Sequence, residues 1–176
     1  KEIGNDLNFL YNKINSTNKT IVSFLKENGL EENEITVNAP EIIDMNAERY
    51  SSNQSNYRYN VTQVITVASS KVDLVRRLIN EQSELLKQGI AITSGDYMYR
   101  VQYEYTDLNS IKPQMIEEAT KNARTAALKF ASDSDSKLGK IKRASQGQFS
   151  INNRDEYTPY IKKVRVVTTI DYFLED

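Results

Sequence analysis

Ser110-Ile111-Lys112-Pro113-Gln114-Met115-Ile116-Glu117-Glu118-Ala119-Thr120-Lys121-Asn122-Ala123-Arg124-Thr125-Ala126-Ala127-Leu128-Lys129-Phe130 is the stretch that decides the fold. Met115, Ile116, Ala119, Ala123, Ala126, Ala127 and Phe130 recur mostly three or four residues apart, which places them on one side of an α-helix. Pro113 reads as a first-turn residue, where its missing N–H leaves no helix bond unmade. The alanines end at Cβ, so a neighbouring element can approach this face closely. Leu138-Gly139 follows, and glycine there reads as the residue that stops the helix and returns the chain as a strand.

Working outward, residues 138–151 read as a weak strand and 160–174 as a long one. Val164, Val166, Ile170, Tyr172 and Leu174 share one side of the latter, while Lys163, Arg165 and Asp171 put the other side in water. Upstream, 97–106 alternates with Tyr97, Tyr99, Val101, Tyr103 and Tyr105 on one face. A second helix is predicted over 71–88, with Val72, Val75, Leu78, Ile79, Leu85 and Leu86 as its stripe. Ser70 and Asp73 resemble a capping box, and Gly89 is the stop. The first helix covers 5–28, with Leu7, Leu10, Tyr11, Ile14, Ile21, Phe24 and Leu25 as its apolar side; Asn5 or Asp6 caps it and Gly29 ends it. Between these helices, 34–43 is a strand broken or edged by Pro40, and 57–68 alternates through Tyr57, Tyr59, Val61, Ile65 and Val67. Residues 50–56 read as an exposed polar loop. Helix, glycine and strand thus recur at Gly29, Gly89 and Gly139. The expectation is an α+β fold: one antiparallel sheet with three long helices packed against it, in loosely repeated helix-Gly-strand units, forming a single domain over 1–176.

Composition removes whole classes of chemistry. The chain has 176 residues with no His, Cys or Trp. Catalytic triads that use His, thiolate nucleophiles, Cys/His zinc sites and disulfides are therefore excluded. Lys and Arg number 23 against 24 Asp and Glu. That balance does not suit a general nucleic-acid binder. Charge is nevertheless segregated: residues 1–56 hold 5 basic and 9 acidic side chains, and 137–165 hold 8 basic and 2 acidic. Either a solvated surface or an acidic-to-basic contact with a partner accounts for this. No apolar run reaches the roughly 20 residues of a membrane span. A cysteine-free chain suits both a reduced cytosol and a disulfide-free envelope protein.

The remaining candidates are surfaces. Adjacent helical residues point about 100° apart, so Glu117 and Glu118 do not converge, and Glu31, Glu32 and Glu34 read as solvated. Asp133-Ser134-Asp135-Ser136 lacks the glycine and closing glutamate of a calcium loop. No phosphate-binding glycine loop or nucleophile elbow occurs. No catalytic residue, metal site or cofactor is expected. With 11 tyrosines, the chain is enriched in an amphipathic aromatic. Tyr97, Tyr99, Tyr103 and Tyr105 form a candidate interaction surface; the ordinary reading is a strand face under a helix with its hydroxyls wet. Lys140, Lys142 and Arg143, with Lys137, form a basic run that suits phosphate or anionic lipid; the ordinary reading is a solvated strand edge that lysine keeps from pairing.

The order of features resembles the SIMPL domain family of bacterial envelope proteins. The resemblance is carried by Ser83-Glu84-Leu85-Leu86-Lys87-Gln88-Gly89-Ile90, then Tyr103-Glu104-Tyr105-Thr106-Asp107-Leu108. It continues in the alanine-rich helix, its Ser136-Lys137-Leu138-Gly139-Lys140-Ile141 ending and the valine-rich last strand. The resemblance implies an α+β domain, export to the periplasm or cell envelope behind a leader or anchor and most of a first strand not in this chain, and self-association. It carries over no catalytic residue. The resulting expectation is a non-enzymatic envelope protein that acts by homo-oligomeric assembly or by binding an envelope protein or glycan, in stress tolerance, with no nucleic-acid partner. The alternative is a small-molecule or glycan-binding module whose cleft is lined by Tyr97, Tyr99 and Tyr103. A hydrolase working with carboxylate, Ser, Thr, Tyr or Lys is a third class, to which no spacing points.

Overall fold

Three helices of the computed structural model, which describes residues 1–47, 56–93 and 100–175, end in the same hydrogen-bonded turn. At the end of α1 (Leu7–Glu27), Gly29 has φ +104°; its N–H donates to Lys26 O at 3.0 Å, and the Leu30 N–H donates to Leu25 O at 3.1 Å. Gly89, at φ +77°, makes the equivalent pair after α3 (Ser83–Lys87), with Gly89 N–H to Leu86 O and Ile90 N–H to Leu85 O. The pattern satisfies carbonyls that a helix end otherwise leaves unpaired. After α4 (Leu108–Asp133) the left-handed residue is Asp135, at φ +54°, and not Gly139. Gly139 lies inside a strand, where a Cβ would stand 3.0 Å from Phe173 O. Its lack of a side chain serves close strand approach instead of a helix stop.

The fold is α+β, and the chain divides into two compact units, 1–100 and 101–176. In the first unit, β1 (Glu2–Gly4), β4 (Tyr59–Thr62) and β3 (Glu41–Asp44) form an antiparallel sheet in the order β1-β4-β3. β2 (Ile35–Val37) pairs with β5 (Ile65–Val67). The predicted strands 34–43 and 57–68 are thus each cut in two. Thr36 faces Thr66 and Ile42 faces Val61, so one extra residue sits on the Asn38-Ala39-Pro40 side. Pro40 has no N–H to give the ladder, and the slip falls at that point. Asn38 spans the break, with its N–H donating to Val64 O at 3.0 Å and its Nδ2 to Thr66 Oγ1 at 2.9 Å.

Asp6 caps α1 by accepting the Phe9 N–H at 3.0 Å, while Asn5 accepts the Arg58 N–H and so ties the cap to β4. Leu10, Ile14 and Val61 form the buried cluster, with Tyr59 against it. The predicted helix 71–88 is divided into α2 (Val72–Asn80) and α3, with Glu81-Gln82 between them. The expected Ser70–Asp73 box is not made; Lys71 is the capping residue, and its own N–H reaches Ser69 Oγ at 3.0 Å.

The second unit is a helix on a hairpin. α4 begins at Leu108, earlier than the sequence suggests, so Pro113 falls in the second turn. β6 (Lys137–Gln146) pairs with β9 (Thr168–Glu175), and β7 (Ser150–Asn153) with β8 (Lys162–Arg165). Gly147 N–H to Val167 O, at 2.8 Å, joins the two ladders. Leu138 faces Leu174, Ile141 faces Tyr172, Arg143 faces Asp171, Gln146 faces Thr168 and Ser150 faces Arg165. Three extra residues therefore sit on the first arm and none on the second. From 162 to 172 the second arm alternates without interruption, even residues half-buried and odd ones exposed. The strand expected over 97–106 is not found where it can be followed: 100–106 has no strand pairing, and 94–99 lies outside the described residues.

Candidate interaction surfaces

Among the described residues, seven apolar side chains are buried, against nineteen large apolar ones that are exposed. In the first unit the acids expected to be solvated are tied down. The Glu34 carboxylate accepts the Glu31 N–H at 2.8 Å, Ser69 Oγ at 2.5 Å and Lys71 Nζ at 2.9 Å. These bonds, the backbone one foremost, hold its pKa down to about 2. Lys71 also reaches Glu31 at 3.0 Å and donates to Gly29 O at 3.2 Å. The node thus locks the turn after α1 to the start of α2.

Two further acidic candidates are occupied locally. Glu117 pairs with Lys121 one turn on, at 2.5 Å, and this bond lowers its pKa. Asp133 pairs with Lys129 at 2.7 Å, and Asp135 is the helix stop. Among the described residues no group of three or more acids is placed to hold a metal ion. No described helix is long and apolar enough to cross a membrane.

The tyrosine surface divides. Tyr97 and Tyr99 lie outside the described residues. Tyr103 and Tyr105 are half-buried, and the Tyr103 ring meets Tyr160 edge-on at 6.0 Å. That geometry is aromatic packing within the second unit. Lys140, Lys142 and Arg143 are exposed on β6. Lys142 Nζ sits 5.8 Å from the Phe173 ring centre, a cation-π contact across the hairpin.

One feature was not read from the sequence. A groove of about 420 Å³ runs between α1 and the first unit's strands. Leu7, Tyr11, Ile14, Val37, Pro40, Ile42 and Val61 form its apolar lining, and Asn8, Asn15, Asn18 and Gln63 supply amides. No lining side chain is charged. Its signal was present on α1: Asn8, Tyr11, Asn15 and Asn18 fall three or four residues apart, a polar stripe beside the apolar one.

A sequence model of SIMPL, described as a protein of unknown function (DUF541), matches residues 1–168. The chain belongs to the SIMPL family. One family model therefore runs through both compact units, as the Gly89-Ile90 turn and the alanine-rich helix lead one to expect. Comparison with curated proteins found no match.

Proposed function

We propose that this SIMPL protein is a non-enzymatic component of the bacterial cell envelope that acts by associating with copies of itself, with a role in stress tolerance. The observation that carries the reading is the exposed apolar surface of the second unit. Phe130 is 77 % exposed on α4, and Phe173 and Leu174 are 52 % and 60 % exposed on β9. Contiguous exposed apolar surface marks association sites, and these three side chains are the candidates to contribute to one. The single family match across both units supports treating them as one module. Light scattering over a wide concentration range tests the reading: oligomers are expected, weakened by Phe130→Ser or Leu174→Ser. A monomer throughout rejects it.

The groove supports a second reading, capture of a small neutral ligand or glycan. Its occupant would meet Tyr11 and the amides of Asn15, Asn18 and Gln63, in place of the tyrosine cleft expected from 97–103. A thermal-shift screen against neutral sugars tests this, with Tyr11→Ala abolishing any saturable shift.

A further inference from the structure

Among the described residues, cations without an acidic partner are concentrated on the hairpin of the second unit. In the first unit most described cations are matched: Lys13 holds Glu2 at 2.6 Å, Lys26 holds Glu32 at 2.7 Å, Arg58 holds Asp44 at 2.9 Å, and Lys71 holds Glu31 and Glu34, with Lys1 and Lys19 the exceptions. On the hairpin of the second unit, Lys140, Arg143, Lys163 and Arg165 are exposed and make no ion pair among the described residues. Lys142 meets only the face of Phe173. Asp171 stands opposite Arg143 in the register without closing a pair. Lys163 and Arg165 are two residues apart on the exposed side, about 7 Å along the strand. The same odd-numbered side exposes Val167 (48 %) and Phe173, and Tyr157, in the loop at the hairpin's end, is 91 % exposed.

We propose that this hairpin docks on an anionic lipid bilayer. Five cations spread over two strands suit an extended array of negative charge better than a single small anion, which could meet one or two of them. A second copy of the chain is a poorer source of that charge, because most of the first unit's described acids are already held by its own bases and Glu27 and Glu41 are left as isolated charges. The interspersed apolar side chains favour lipid over other polyanions: valine and phenylalanine beside lysine and arginine match the boundary between headgroups and acyl chains. Each basic side chain near such a surface strengthens partition about fivefold. The hairpin needs no self-association to act this way.

The test is flotation of the full chain with phosphatidylcholine vesicles prepared with and without phosphatidylglycerol. Binding is expected only with the anionic lipid, and it falls as salt is raised. Lys163→Gln/Arg165→Gln, and separately Lys140→Gln/Arg143→Gln, are each expected to weaken partition about 25-fold. Lys19→Gln/Arg124→Gln removes the same charge elsewhere and should leave binding unchanged. The proposal is overturned by absence of binding to anionic vesicles, by equal binding to neutral ones, by equal losses in all three double variants, or by preferential binding of single-stranded nucleic acid. A protein that is monomeric by light scattering yet floats with anionic vesicles removes self-association and leaves this inference standing.

Discussion

Leu10→Ala tests whether α1 and the β1-β4-β3 sheet share one close-packed interface. Leu10 is 1 % exposed and belongs to the cluster with Ile14 and Val61. Truncation removes three carbons, about 2.4 kcal/mol of transfer free energy, and the cavity left behind brings the cost to about 3–4 kcal/mol. Gly4 on β1 provides the companion change, because a Cβ there would stand 3.3 Å from Leu10 Cδ2. Alone, Gly4→Ala gains about 0.4–1 kcal/mol from a less flexible unfolded chain and loses a similar amount to that crowding, so it should be near neutral. With Leu10 already shortened the crowding is gone and the methyl fills vacated space. The double variant should then recover about 1 kcal/mol. Urea unfolding followed by far-UV circular dichroism reads all four proteins; the chain has no Trp, so tyrosine emission is the second probe. A Leu10→Ala cost below about 1 kcal/mol, or effects that add within about 0.3 kcal/mol, would refute the shared interface.

Two further predictions concern the turns. Glu34 and Asp155 both have pKa values held down to about 2, Glu34 chiefly by the Glu31 N–H and Asp155 chiefly by the Thr158 hydroxyl. A lowered folded-state pKa contributes stability above the ordinary carboxylate pKa that is lost as pH falls toward the folded value. Thermal melts should therefore drop between about pH 4.5 and pH 2, and Glu34→Gln should flatten part of that drop; an unchanged slope in the variant removes Glu34 from the account. Asp135 occupies a left-handed position that costs L-residues about 1 kcal/mol. Asp135→Gly should raise stability by up to about 1 kcal/mol and Gly29→Ala should lower it by about 1–2 kcal/mol, read from denaturation midpoints; opposite signs would show that backbone strain does not govern these stops.

The legible part of this fold was the part governed by local periodicity. The stripes on α1 and α4 and the stops at Gly29 and Gly89 follow from helix geometry and from glycine's access to positive φ. Asp135 escaped notice because aspartate tolerates that conformation only moderately well, while Gly139, nearby, offered the better-known signal. The strands were legible as alternation but not as lengths. Where they break depends on ladder register, which Pro40 hints at and nothing around Gln63-Val64 announces. Tyr103 alternates with its neighbours yet has no strand partner; its ring packs on Tyr160, more than fifty positions along the chain. The exposed side of 163–171 was legible from Lys163, Arg165 and Asp171. That its cations go unmatched was not, since ion pairing is set by tertiary neighbours. The groove was missed because its amides look like ordinary solvated helix residues until strands from elsewhere form its other wall.

The uneven hairpin bears on how this protein tolerates change in length. All three surplus residues lie on the first arm, where the register slips one residue at a time and always in the same direction. A one-residue insertion or deletion between 139 and 149 falls where such slips are already accommodated. The second arm works as a ruler: it assigns Ile170 and Tyr172 inward and Lys163 and Arg165 outward by uninterrupted counting. Loss of one residue from 166–169 would exchange those assignments along the rest of the strand, turning apolar groups to water and charge toward α4. Length variation among related chains should therefore collect on the first arm, with the second held at fixed length.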